Sequence, residues 1–266
     1  MITLSSDFGS PYPAAMRGVV LSQDPETRLV DVAHDLPRQD VRAAAFWTRF
    51  VLPEFPPAVH LIVVDPGVGT DRAALVVRAG DHALVAPDNG VVLPPARALA
   101  DASGGGGRDG GADEDEVEVF EYDYDDPASN TFHGRDVFAP AAAAVHDVGV
   151  SEIGALDRIS PADEYVDLTL PEAEVAGDVA RGEVLAVDDF GNTVTSVDGT
   201  FLDGASRVRV NGEETPVGSS FASVPVGGRL VTVGSHGYVE CDVNRGRGDE
   251  VFGLSVGDEV EITRVE

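Results

Sequence analysis

A carboxylate and a guanidinium lie seven residues apart around a glycine-rich turn, where they could act together on a small ligand. Asp65 directly follows the predicted strand 59–64, and Arg72 follows the turn. Ligands bind at the carboxyl ends of strands in open α/β sheets, and glycines let them approach the backbone closely. A second polar, glycine-containing segment, residues 129–136, contains His133. Such side chains can orient water, offset charge and relay protons, so the sequence predicts a site.

Two further polar segments follow predicted strands and should lie at the same edge of the sheet as Asp65. One contains Asp7 and the other contains His34 and Asp35. A carboxylate at this edge can grip a vicinal diol, as acidic residues hold ribose in nucleotide-binding folds. Taken alone, Asp7 is better explained as a helix N-cap or turn residue, and His34 as a hydrogen-bonded structural residue.

Several common chemistries lack their sequence signatures. The chain has no lysine, which excludes a P-loop, and the glycines of residues 65–70 do not match G-x-G-x-x-G. The lone cysteine, Cys241, permits no intrachain disulfide and is best interpreted as a small buried hydrophobe. A metal site is a weaker hypothesis, because its candidate ligands lack compact spacing. Those candidates are Asp65, His34, Asp35, Asp88 and His133.

The charge of the chain limits which classes of molecule can bind it. A formal net charge of -29 over 266 residues, with all 18 basic residues arginine, repels nucleic acid and anionic membranes. The 43% hydrophobic content argues against a disordered acidic protein. In molar salt the Debye length is about 3 Å, so we expect a folded protein of a halophile's cytoplasm. The N-terminus resembles a first strand, not a signal peptide, and no apolar run is long enough to cross a bilayer.

The elements that must position these residues fall into two groups. Up to residue 168, predicted strands at 2–5, 29–32, 59–64, 74–78 and 83–86 alternate with helices at 11–21, 41–52, 92–99 and 136–146. This pattern predicts a mostly parallel α/β sandwich domain, interrupted by a flexible, acidic, glycine-rich insertion at about 102–116. Residues 169–266 show short strands separated by glycine-containing turns, which predicts a smaller C-terminal β-barrel domain.

Five ordered motifs resemble the S-adenosyl-L-methionine (SAM) hydrolases, also called SAM hydroxide adenosyltransferases, which are related to fluorinases and chlorinases. The resemblance covers nearly the whole chain and implies an N-terminal α/β domain and a C-terminal β-barrel. The motifs are Ser-Asp-Phe-Gly at 6–9, Val-Asp-Pro-Gly-Val-Gly-Thr at 64–70 with Arg72, Ala-Pro-Asp-Asn-Gly at 86–90, Phe-His-Gly-Arg-Asp-Val-Phe-Ala-Pro at 132–140 and Asp-x-Phe-Gly-Asn at 188–192.

The resemblance implies that water or hydroxide attacks C5′ of SAM, giving adenosine and L-methionine without a metal or other cofactor. It implies Asp65, Arg72 and His133 as the catalytic residues. The implied substrate contacts are Asp7 at the ribose diol, Phe8, Asp188 at the methionine amine, Phe190 and Asn192 at adenine, and, by a looser match, Asn244 and Arg245. It also implies a homotrimer with the substrate bound between subunits.

Two positions favour water over a halide as the nucleophile. Halogenating relatives have Tyr where this chain has Asp65, and fluorinases have Ser where it has Gly134. A carboxylate would repel a halide. An Asp paired with Arg72 should also have a depressed pKa, so Asp65 is predicted to orient water and not to abstract its proton. The alternatives are a SAM or adenosine sensor with little turnover, a halide-dependent halogenase and a metal-dependent nucleotide hydrolase.

Overall fold

The structure is a computed structural model that describes residues 1–103 and 117–265. The chain divides into two compact units, Met1–Thr169 and Leu170–Glu266. The first unit is mixed α/β, and the second is built mainly from antiparallel strands that form a nearly closed barrel, so the predicted fold class is confirmed.

One seven-stranded sheet forms the centre of the first unit, in the order β2-β1-β3-β5-β4-β6-β7. Neighbours from β2 to β5 pair in parallel, whereas β4, β6 and β7 extend the sheet antiparallel. The strands are β1 (Ile2–Ser6), β2 (Leu29–Ala33), β3 (Val59–Val63), β4 (Ala74–Ala79), β5 (His82–Pro87), β6 (Val117–Tyr122) and β7 (Ile159–Pro161). Only Gly80 and Asp81 join β4 to β5, and a parallel crossover needs a much longer connection.

Helices cover both faces of this sheet. They are α1 (Tyr12–Gln23), α2 (Val41–Val51), α3 (Leu93–Ser103) and α4 (Ala139–Val148). Residues of α1 and α4 pack in one apolar cluster with β1 and β3, and residues of α2 and α3 pack in another with β4 and β5. Burial on both faces explains why β1, β3 and β5 are buried along their full length.

Local chemistry sets several element boundaries. The Asp40 carboxylate accepts a hydrogen bond from the Ala43 backbone N–H at 2.9 Å and so caps α2. The helix predicted at 136–146 is wrong at its start, because a π-helix at Gly134–Phe138 precedes α4. The insertion predicted at about 102–116 overlaps the end of α3, which extends to Ser103. Residues 104–116 lie outside the described chain.

His60 of β3 is a hydrogen-bonded histidine of the core. Its Nδ1 contacts the Thr3 hydroxyl at 2.8 Å, and its Nε2 contacts His82 Nδ1 at 2.9 Å. The two imidazole rings stack at 5.1 Å, and His60 is fully buried. Both ring nitrogens are therefore satisfied within the sheet.

The second unit contains an eight-stranded antiparallel sheet. Its main path runs β12-β11-β15-β9-β10-β14-β13, and β8 pairs with β9. The elements are β8 (Glu174–Ala176), β9 (Val179–Val187), β10 (Thr193–Asp198), β11 (Arg207–Val210), β12 (Glu213–Pro216), β13 (Arg229–Val233), β14 (Tyr238–Val243), the helix α5 (Gly248–Phe252) and β15 (Glu259–Val265). A bridge between Val217 and Val231 links the two ends of the path and nearly closes the sheet around an apolar core.

Within residues 1–103 and 117–265, no helix combines the length and apolar character needed to span a membrane.

Candidate active site

A pocket of about 260 Å³ opens at the carboxyl ends of β1 and β3 in the first unit. It contains two of the predicted carboxylates and a set of aromatic side chains. Its lining residues are Asp7, Phe8, Tyr12, Val63, Asp65, Val68, Thr131, Phe132 and Gly134. The parallel strands bring Asp7 and Asp65 to one edge because β1 and β3 pair in register, Ser6 opposite Val63.

Asp65 and Arg72 form an ion pair beside this pocket. Arg72 Nη1 donates to Asp65 Oδ1 at 2.8 Å, and the Gly67 backbone N–H donates to the same oxygen at 3.2 Å. A Cβ on Gly67 would overlap the Arg72 guanidinium, so the absence of a side chain lets the guanidinium lie against the turn. The turn thus fixes both charged groups.

The predicted depression of the Asp65 pKa is wrong. Burial raises the pKa of Asp65 above its usual range, and this effect outweighs the opposing influences of Arg72, the Gly67 N–H and His133. The Asp65 side chain is only 7% exposed. Burial therefore makes Asp65 a better proton acceptor than an exposed Asp–Arg pair would be.

His133 lies near Asp65 and is itself buried. Its Nε2 atom has no hydrogen-bond partner among the described residues. The ring packs against Tyr124 at 6.2 Å, and the Tyr124 hydroxyl donates to the Arg72 backbone oxygen at 3.2 Å. Tyr124 thereby contacts two of the three predicted catalytic residues. A buried imidazole nitrogen without a partner is suited to bind a ligand or water.

The neighbouring residues Arg135 and Asp136 pair with each other. Arg135 Nε and Nη2 donate to the two carboxylate oxygens of Asp136 at 2.5 and 2.7 Å. The two residues thus form an ion pair at the start of a helical segment.

Asp7 and Phe8 follow β1 and line the pocket. Asp7 Oδ2 accepts a hydrogen bond from the Gln39 backbone N–H at 2.7 Å, and its other oxygen accepts none from the described residues. Phe8, Tyr12 and Phe132 form a triangle of edge-to-face rings with centroid separations of 6.0, 5.8 and 5.2 Å. The pocket thus combines an apolar wall with two carboxylates.

Three of the other predicted substrate contacts share one loop of the second unit, between β9 and β10. The Asp188 carboxylate accepts from the Phe190 and Asn192 backbone N–H groups at 2.9 and 2.8 Å, and from Asn192 Nδ2 at 2.9 Å. These bonds hold the loop closed while the Phe190 ring is left 79% exposed. An exposed aromatic ring on a rigid loop offers a flat apolar surface.

The last two predicted contacts follow β14. Asn244 Nδ2 donates to the Val224 backbone oxygen at 2.8 Å, so the Asn244 amide group supports a neighbouring loop. Arg245 is exposed and has a φ of 57°, a conformation that non-glycine residues rarely adopt. Neither geometry assigns a ligand role.

Sequence reasoning missed several residues of the first unit that the structure brings to the pocket. Val68 and Phe132 lie inside the motifs at 64–70 and 132–140, and Thr131 lies in the polar segment 129–136, so these positions are the signal that could have identified them. Tyr12 lines the pocket without a distinguishing pattern, and Tyr124 is brought to His133 only by folding. Among the described residues, no group of three or more His, Cys, Asp or Glu side chains is arranged to hold a metal ion.

Comparison with known proteins identifies relatives along nearly the whole chain. The SAM hydroxide adenosyltransferase N-terminal domain matches residues 2–154, and the corresponding C-terminal domain matches residues 182–261. An (R)-S-adenosyl-L-methionine hydrolase of Salinispora tropica is 38% identical over 265 residues, covering 98% of this chain and 97% of that protein. One of the same name from Thermus thermophilus is 37% identical over 266 residues, covering 97% of each.

Solved structures show the same fold. An uncharacterized conserved protein from Thermotoga maritima superposes with a TM-score of 0.80 at 32% identity, covering 99% of this chain and 100% of that one. A conserved hypothetical protein from Thermus thermophilus superposes with a TM-score of 0.71 at 34% identity, covering 99% of both chains.

Proposed function

Because this chain belongs to the SAM hydroxide adenosyltransferase family, we propose that it hydrolyses SAM to adenosine and L-methionine. The family resemblance inferred from the motifs is thereby confirmed, and the names of the relatives agree with a hydrolase. In this structure the observation that carries the proposal is the partly buried Asp65–Arg72 pair near the unpartnered Nε2 of His133, next to a pocket.

The proposed reaction is an in-line displacement at C5′. The water oxygen forms a bond to C5′ while the C5′–S bond breaks. The electron pair of the C5′–S bond stays on sulfur, so methionine leaves as a neutral thioether. The water proton passes to Asp65 and then to solvent, so the products are adenosine, L-methionine and a proton. Most of the barrier lies in holding water about 3 Å behind the C–S bond, which is a problem of orientation.

Each catalytic side chain has a distinct role in this proposal. Asp65 accepts a hydrogen bond from the water and aims its lone pair at C5′, and its raised pKa helps it to take the proton. Arg72 holds Asp65 in place and offsets negative charge that develops on the oxygen. The free Nε2 of His133 contacts the water or its proton.

The binding roles are carried over from the family pattern. Asp7 would hold the ribose diol and Phe8 would pack beside it, and their positions in the pocket support this. Asp188 would bind the methionine amine, and Phe190 and Asn192 the adenine ring. Asn244 and Arg245 would complete the substrate contacts. We propose that no metal or other cofactor takes part.

Chromatography of SAM incubated with the purified protein tests the function. Adenosine and L-methionine should form in equal amounts, in chelator as well as without it. A requirement for a divalent ion would favour the metal-dependent alternative. Saturable SAM binding without turnover would favour a sensor. A 5′-chlorinated adenosine formed in chloride would favour a halogenase, which the Asp65 carboxylate opposes electrostatically.

We also propose a homotrimer in a high-salt cytoplasm, with each substrate bound by the N-terminal unit of one subunit and the C-terminal unit of the next. The family resemblance supports the assembly, because the implied contacts are divided between Asp7 and Phe8 in one unit and Asp188, Phe190 and Asn192 in the other. The net charge of -29 supports the high-salt setting. The same charge opposes nucleic acid or an anionic membrane as a partner.

A further inference from the structure

A single loop after β2 holds the end of β1 at three points. His34 Nδ1 contacts the Ser6 hydroxyl at 2.7 Å, and the Leu36 backbone N–H donates to the Ser6 backbone oxygen at 3.3 Å. The Gln39 backbone N–H donates to Asp7 Oδ2 at 2.7 Å. This clamp, formed by residues 34–39, thus reaches the carboxylate that lines the pocket.

His34 is the side chain that anchors this clamp to the sheet. Its Nε2 contacts Asp31 Oδ1 at 3.0 Å, and Asp31 also binds Arg17 of helix α1. With Nε2–H donating to Asp31 in the neutral ring, Nδ1 accepts the Ser6 hydroxyl proton. The imidazole therefore joins β1, β2 and, through Asp31, helix α1.

The backbone of the clamp is held in an uncommon conformation. Gln39 has a φ of 59°, in the left-handed region that non-glycine residues rarely adopt. That conformation accompanies the hydrogen bond from the Gln39 N–H to Asp7. The backbone of the clamp is therefore strained at Gln39, the residue whose N–H orients the Asp7 carboxylate.

Ser6, His34 and Asp31 are hydrogen-bonded in the order of a Ser-His-Asp catalytic triad. Burial excludes the role of nucleophile for Ser6. Ser6 is fully buried, and the pocket lining does not include it. A substrate cannot reach a hydroxyl that is enclosed in the sheet. The contacts fit a different purpose, which is to fix the direction in which the chain leaves β1 towards Asp7.

We propose that His34 is a positioning residue for recognition of the ribose diol, acting through Ser6 and the clamp on Asp7. This inference rests on the proposed function for the identity of the substrate. The effect that it predicts concerns one group of the substrate, the 2′-hydroxyl of the ribose. Losing His34 should weaken discrimination for a 2′-hydroxyl, because a misdirected Asp7 carboxylate can no longer bind both hydroxyls of the diol.

Titration calorimetry with adenosine and 2′-deoxyadenosine tests this without relying on turnover. The wild-type protein should prefer adenosine, and His34→Ala should reduce that preference by about ten-fold, the scale of one well-placed hydrogen bond. His34→Asn retains an acceptor near Nδ1 and should restore part of the preference. A purely structural defect would weaken both nucleosides equally and leave their ratio unchanged.

A double-mutant cycle identifies the route of the effect. Asp7→Asn alone should lower the preference, and His34→Ala added to it should lower the preference no further, since both changes remove one function. His146→Ala is the matched control, because His146 lies in the same unit and contacts the Met1 amino group, outside the clamp. This control should leave the preference unchanged.

Additive effects of His34→Ala and Asp7→Asn, or an unchanged nucleoside ratio in folded His34→Ala, would overturn the inference. If His34→Ala does not fold, Ser6→Ala and His34→Asn decide the question by the same ratio. Wild-type protein that discriminates the nucleosides but does not hydrolyse SAM would reject the proposed function and leave this inference standing. If the wild-type protein hydrolyses SAM but the variants keep the wild-type ratio of nucleoside affinities, the inference is rejected and the proposed function stands.

Discussion

Asp65 experiences opposing influences, and their balance determines its chemistry. Burial favours its neutral form, whereas Arg72, the Gly67 N–H and His133 favour the carboxylate. Burial is the largest influence. In the proposed mechanism this balance favours Asp65 as the group that holds a water and accepts its proton, and not only as the counter-ion of Arg72.

Removing the charge of Asp65 should separate chemistry from binding. Asp65→Asn retains the shape of the side chain and should lower kcat by about 10²-fold or more, the scale of a lost general base or orienting group. SAM affinity should change little, because Asp65 is proposed to face water. Single-turnover assays and titration calorimetry measure the two effects. Asp71→Asn, on the same loop, is the control, and near-normal turnover by Asp65→Asn would refute the mechanism.

The pH profile of kcat/KM should report the raised pKa of Asp65. Protonation removes its ability to accept the water proton, so activity should fall as the pH drops through that pKa. The acidic limb should therefore lie above the range of an ordinary Asp. Steady-state assays between pH 4 and 8, over a range in which the protein remains folded, measure it. A limb at or below the ordinary Asp range would contradict the dominance of burial.

At the scale of elements, the sheet joins strands through polar contacts as well as apolar packing. His60 of β3 lies between Thr3 of β1 and His82 of β5, so one hydrogen-bonded row crosses three strands. Burial and the neighbouring His82 lower the pKa of His60 to about 3. The native sheet consequently requires a neutral imidazole at this position.

This row predicts a loss of stability in weak acid. Below pH 6.5 the unfolded chain binds a proton at His60 that the native sheet rejects. The free energy of unfolding should therefore fall by about 1.4 kcal/mol per pH unit. The loss should begin near pH 6.5 and continue towards the native pKa of about 3. Denaturant unfolding of wild type and His60→Gln between pH 5 and 7.5 isolates this contribution. Parallel losses in the two proteins would contradict it.

At the scale of the whole molecule, charge is the dominant property. The chain has 47 acidic and 18 basic residues, which give the formal charge of -29. In the part of the chain that the structure describes, the ion pairs between arginines and carboxylates are mostly exposed. Exposed ion pairs contribute little stability in water. On the halophilic hypothesis, self-repulsion among the remaining carboxylates is screened by salt.

Thermal melts should show this dependence. The melting temperature should fall as sodium chloride is reduced from molar to tens of millimolar concentrations, because the Debye length grows from about 3 Å towards 30 Å. Sucrose at matched osmolality controls for solute exclusion and should not substitute for salt at low ionic strength. A melting temperature that is unchanged or higher in low salt would reject the halophilic hypothesis.

Mixed subunits test the proposed assembly. Asp7→Ala and Asn192→Ala should each abolish activity alone, since each removes a proposed substrate contact. Trimers refolded from an equal mixture should regain about one quarter of the sites if each site combines two subunits. Sedimentation must show that mixed trimers formed, with each variant refolded alone as the control. Mixed trimers without activity would place each site within one chain.

Much of the fold could be predicted because its signals are local. The buried strands β1, β3 and β5 appear as apolar runs, and the Asp40 cap and the periodicity of α2 mark a helix. The motifs around Asp65 and His133 indicated both the family and the water nucleophile. These features depend on residue order and short-range preference, which the chain carries without folding.

Only the tertiary structure decided how the site residues behave. The pKa of Asp65 depends on how deeply several elements bury it, and sequence reasoning counted Arg72 but not that burial. Tyr124 reaches His133, and Phe8, Tyr12 and Phe132 meet around one pocket, although nothing in their spacing requires it. Desolvation and ring packing arise from surfaces brought together over long separations, so the amino-acid sequence determined which groups are present, and packing determined their protonation and their contacts.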